Sequence, residues 1–134
     1  MKTWITMAML LALGLVFPAM AADKEDMDHL ENRVKQINAA AAKPNMQDVA
    51  FQRISTETGV PVETVRKQHQ RHPGIGAAGV MIANVLADET KKNPDPFLSQ
   101  RDAGKKWVQI AKENNVSVDK LNERLDRLQK ALKG

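Results

Sequence analysis

The apolar positions of this chain fall at helical spacing from one end to the other. Met27, Leu30, Val34, Ile37 and Ala41 step by 3, 4, 3 and 4, which predicts one apolar stripe on an amphipathic helix. This helix fills a segment spanning 22–44, with a charged, mostly acidic lead-in over 22–28 and Pro44 as its stop. Val118, Leu121, Leu125, Leu128 and Leu132 repeat the same step near the other end. Between them, Met46, Val49, Phe51 and Ile54 mark a second helix, with Asn45 as its expected cap and Thr58-Gly59 as its close. A third helix starts near Pro61 and ends by His72-Pro73-Gly74. The stretch 75–87 has almost no polar face, which predicts a central buried helix, and Gly79, Ala83 and Ala87 form a small-residue strip for close packing. Asn93-Pro94-Asp95-Pro96 reads as a turn with Asp95 capping and Pro96 as the first helical residue. A short helix with Phe97, Leu98 and Arg101 follows, and Ala103-Gly104 breaks before Trp107. No strand-like alternation interrupts the sequence after residue 21, so the expected fold is all-α with about seven helices.

One stretch occurs twice. FQRISTETGVPVETV, beginning at Phe51, lies without a gap over WVQIAKENNVSVDKL, beginning at Trp107, an offset of 56. The repeats extend over 51–72 and 107–128, and each reads as helix, turn, helix. Gly59 in the first copy becomes Asn115 in the second, and these are the two residue types that best tolerate positive φ. The exchange predicts the same turn in both. Val60 with Val65, and Val116 with Leu121, stand where a hydrophobic staple would place them. The expected organisation is therefore two helix-turn-helix-like units around the apolar helix, within a domain covering 45–134.

Composition adds an address. Residues 1–21 run from a charged start through the apolar stretch Trp4–Phe17 to Pro18, with Ala19 and Ala21 at the −3 and −1 positions of a cleavage site. That pattern predicts a secretory signal peptide, with a retained membrane anchor as the alternative; Pro18 and Ala-x-Ala favour cleavage. A periplasmic or secreted protein with no stable membrane span follows. Cleavage also removes Lys2, leaving 20 − 1 = 19 basic against 16 acidic residues, or +3, too mild to demand a polyanion. The absence of cysteine excludes disulfides, thiolate catalysis and thiolate metal ligation.

Candidate chemistry is sparse. Gly74-Ile75-Gly76-Ala77-Ala78-Gly79 spells G-x-G-x-x-G, but a dinucleotide site needs a preceding strand, and Val65 to His72 are helical and basic. His69 and His72 share a helix face, yet two ligands do not make a zinc site; as helix C-terminal histidines they are expected to be solvated. No metal, cofactor or catalytic set is expected. Asn115-Val116-Ser117 is a formal glycosylation sequon whose Ser is better explained as a helix cap.

Ser55, Gly59 and Val65 hold the small, turn and apolar positions that resemble DNA-binding helix-turn-helix proteins. That resemblance implies a recognition helix with Arg66, Lys67, Gln68, His69, Gln70 and Arg71 toward DNA. Export argues against nucleic acid, and the matching second-copy helix has mixed charge. Ile110-Ala111-x4-Val116-Ser117-Val118-x2-Leu121 is also similar to the helical centre of LysM, a peptidoglycan-binding module, without its flanking strands. The segments TGVP, MIANVLA and GKKWVQIAKENNVS, across 48–128, resemble a set of uncharacterised small exported bacterial all-α proteins. This resemblance implies a periplasmic or secreted helical protein and supplies no activity.

The expectation is a non-enzymatic exported protein that binds a macromolecular partner, an unknown protein or envelope component. A cell-wall-binding module and a DNA-binding protein are the alternatives. The expected contact surfaces are Leu30, Val34 and Ile37 on the first helix and Arg66, Lys67, Gln70 and Arg71 on the basic helix. A monomer is expected, since two heptads are short for a coiled-coil dimer, which stays open as the alternative.

Overall fold

The computed structural model describes residues 24–133. The expected leader, with Ala19 and Ala21, lies outside the described residues. Among these residues there are seven helices and no strand, as the apolar spacing predicts. Helix α1 covers 24–41. It is followed by α2 (Met46–Thr58), α3 (Val62–Arg71), α4 (Gly76–Thr90), α5 (Asp95–Asp102), α6 (Trp107–Glu113) and α7 (Val118–Lys133). No helix among the described residues is long and apolar enough to cross a membrane.

Helix α4 is the hub. Eleven consecutive residues, Ala77 to Ala87, are buried, so this helix has no face left for water. It packs against α2, α3, α5 and α7. The small-residue strip is needed at its start: a Cβ on Gly79 would come within 2.0 Å of Ile75 Cγ2 and 3.3 Å of the Trp107 ring. Ile82 and Leu86 of the hub and Leu98, Leu121, Leu125 and Leu128 of its neighbours are fully buried. Each contributes roughly 1.5–3 kcal/mol by leaving water.

Both heptad-like stripes enter this one core. Leu30, Val34, Ile37 and Ala41 of α1 are 0–2 % exposed, and Leu121, Leu125 and Leu128 of α7 are 0 % exposed. Arg33 clamps the two helices from outside, donating to Asn122 Oδ1 at 3.1 Å and Gln129 Oε1 at 3.3 Å and pairing with Asp126. The placement of Leu30, Val34 and Ile37 on a contact surface is therefore corrected. Their stripe is satisfied within the chain, because α7 and α4 supply the apolar partner that an isolated helix would seek elsewhere.

The two repeat units share a left-handed residue at the turn. Gly59 takes φ 76° and Asn115 takes φ 59°, and the second helices begin at the equivalent Val62 and Val118. Ser117 Oγ caps α7 by accepting from Lys120 N at 3.2 Å. Details of closure differ: Gly59 N donates to Ser55 O at 2.8 Å, whereas in the second copy Val116 N donates to Ala111 O at 2.9 Å. Two terminal assignments need correction. Asn45 makes no side-chain cap; it takes φ 69° to turn the chain from α1 into α2. Helix α5 starts one residue earlier than expected, with Asp95 already helical and its N–H held by Asn93 Oδ1 at 3.1 Å.

Candidate functional site

Helix α3 is divided between inside and outside. Val65 is 0 % and Gln68 4 % exposed. Gln68 forms a reciprocal amide pair with Asn84 of α4: its Nε2 donates to Asn84 Oδ1 at 3.1 Å, and Asn84 Nδ2 donates back to Gln68 Oε1 at 2.7 Å. Asn84 Nδ2 also reaches Val80 O at 2.9 Å. Both amides are satisfied without charge, which is how a polar group survives in a core. Gln68 is thus unavailable to DNA, contrary to the recognition-helix expectation, because it lies three residues after Val65 on the buried face of α3, where Asn84 meets it.

The remaining basic residues of α3 separate into two groups. Arg66 is held, with Nη1 donating to Asp48 Oδ1 at 2.7 Å, Nε 3.4 Å from Glu63, and its guanidinium 5.6 Å from the Phe51 ring centroid. Lys67, Gln70 and Arg71 are exposed on the opposite side from Val65. His69 is half-buried and meets Phe51 edge-on at 5.2 Å, and burial lowers its pKa from the ordinary 6.5. His72 Nδ1 contacts Asp102 Oδ2 at the end of α5. The two histidines therefore have separate partners within the chain and are not the solvated residues expected from their place at a helix C-terminus. Among the described residues, no three His, Asp or Glu side chains gather as a metal site.

The glycine motif is explained by α1. Asn38 Oδ1 accepts from Ala78 N at 2.8 Å while its Nδ2 donates to Ile75 O at 3.0 Å. It caps α4 from another helix. Gly76 has φ 75°, and a Cβ there would lie 2.3 Å from Asn38 Cγ. The helix N-terminus that would receive a pyrophosphate in a dinucleotide site is occupied by an amide.

Helix α1 performs a similar task at α6. Glu31 accepts from Trp107 N at 3.1 Å and from Arg101 Nη1 at 2.7 Å, and also pairs with Arg101 Nη2. The Arg101 guanidinium lies 5.3 Å from the centroid of the buried Trp107 ring. Burial alone would raise the Glu31 pKa. The Arg101 and Trp107 hydrogen bonds, with the charges of Arg101 and Lys106, outweigh it and hold the carboxyl below its ordinary 4.5. A carboxylate at a helix N-terminus also suits the dipole.

A second cationic region was not anticipated. Glu57, at the end of α2, is approached by Arg127 at 3.0 Å and by Arg53 and Arg124 at 3.8 Å each. Arg124 Nη1 additionally donates to Glu57 O at 2.6 Å, satisfying a carbonyl of the last turn. Beside this cluster, α2 and α7 enclose an open groove of about 810 Å3, with Arg53, Arg127 and Lys130 on its walls and Val49 and Ala131 as apolar lining. No local signal marks it, since Arg53 lies more than 70 positions before Arg127 and Lys130 in sequence. The chain matches no family model, no curated protein and no solved structure.

Proposed function

We propose that this is a small exported, non-enzymatic protein that binds an anionic macromolecular partner of the cell envelope through the outer face of α3. The observation that carries this reading is the pairing of Lys67 and Arg71 on one exposed face, beside Gln70, while the neighbouring Arg66 is tied down. Neither Lys67 nor Arg71 forms an ion pair among the described residues. Exposed cations that are not neutralised within the fold raise the encounter rate with an anionic surface and orient it. Export rests on the leader pattern in residues 1–21.

Crosslinking of the tagged protein in intact cells tests the reading. The wild type is expected to capture a defined envelope component, and Lys67→Glu with Arg71→Glu is expected to lose it while folding normally by circular dichroism. Equal capture by the charge-reversed variant would move the contact elsewhere.

A further inference from the structure

The groove between α2 and α7 has a charge surplus that the fold does not use. Arg53, Arg127 and Lys130 line it as cations and Asp48 as its acidic residue, which leaves 3 − 1 = +2. The groove's acidic residue, Asp48, is already engaged by Arg66 at 2.7 Å. Arg53 and Arg127 are 42 % and 46 % exposed along their side chains, so both remain open to solvent beside their contacts with Glu57. Lys130 is exposed and forms no ion pair among the described residues. Val49 and Ala131 add apolar surface to the lining.

We propose that this groove docks an acidic amphipathic helix from a partner protein. Its carboxylates meet Arg53, Arg127 and Lys130, and its apolar residues cover Val49 and Ala131. Two features select this occupant. Guanidinium forks match carboxylates in a bidentate geometry that a helix can present at i, i+3 and i+4. An open trough between two helices, lined by both apolar and cationic side chains, also matches the helix-in-groove mode better than an enclosed small-molecule pocket. The site is separate from the α3 face and does not rest on that surface being functional.

The test uses the purified full chain and a fluorescein-labelled peptide of about 16 residues, long enough to form a helix on binding, with Glu and Leu at amphipathic spacing. Fluorescence anisotropy is expected to show saturable, salt-sensitive binding that the Glu→Gln version of the peptide lacks. Arg53→Gln with Lys130→Gln is expected to weaken binding about tenfold, the scale of two half-exposed ion pairs. The melting temperature of that variant stays near wild type, because Arg124 and Arg127 still hold Glu57. Lys67→Gln with Arg71→Gln, the same change in net charge as the groove variant, weakens peptide binding far less, which separates this site from the α3 face. Equal binding of the Gln peptide, or an unaffected double variant, overturns the proposal. Inorganic phosphate or vesicles of anionic phospholipid binding at Arg53 and Lys130 in preference to the peptide would also overturn it, making the groove a phosphate site.

Discussion

Gly76 and Asn38 solve one local problem together. Helix α4 opens on a left-handed residue, which leaves its first N–H groups facing α1, and the Asn38 amide fills the space that a side chain at 76 would need. Gly76→Ala combines a positive-φ penalty with displacement of the cap, and we expect a loss of about 2–3 kcal/mol in urea denaturation. Asn38→Ala is expected to cost about 1–2 kcal/mol. The double variant is expected to lose less than the sum, since both changes abolish the same cap. Neither role was legible in the sequence. Capping is recognised there by proximity, whereas Asn38 precedes its partners Ile75 and Ala78 by 37 and 40 positions. The same distance effect hid Glu31 at the start of α6. By contrast, Gly59 and Asn115 were readable, because a turn residue acts on its own backbone.

At the scale of elements, the apolar periodicity carried the most information. It located seven helices and the buried character of α4, since a helix without a polar face can only be central. Periodicity could not say which polar residue would turn inward. Gln68 lies among Arg66, Lys67, Gln70 and Arg71, and only the position of Asn84 on the facing helix explains its burial. The pair gives a sharp expectation. Gln68→Met alone strands the Asn84 oxygen and is expected to cost about 1–3 kcal/mol, whereas Gln68→Met with Asn84→Leu is expected to recover most of that loss. Equilibrium unfolding of the two single variants and the double variant measures the coupling directly. The groove on α2 and α7 was likewise illegible, because each helix alone shows an ordinary charged face.

For the whole molecule, acid is the informative perturbation. Burial lowers the His69 pKa, so the unfolded chain takes up a proton first as pH falls. Its contribution is complete above 6.5 and declines below it. Glu31 is also held below its ordinary value, so its contribution is complete above 4.5 and is lost as pH falls through the lower folded value. Stability is therefore expected to fall in two acid steps. Urea midpoints measured from about pH 7 to 3.5 check this, with His69→Gln removing the upper step and Glu31→Gln the lower.

The clamp between Arg33 and α7 has a consequence for how the chain is made. Its partners Asn122, Asp126 and Gln129 lie 89, 93 and 96 positions downstream. A nascent chain presents the α7-facing side of α1 and of α4 to solvent until α7 has left the ribosome, although α2, α3 and α5 can already pack on α4. Translation must then run almost to the end of α7 before the core can close. Under the export proposed above, this late contact leaves the core open for nearly the whole of synthesis.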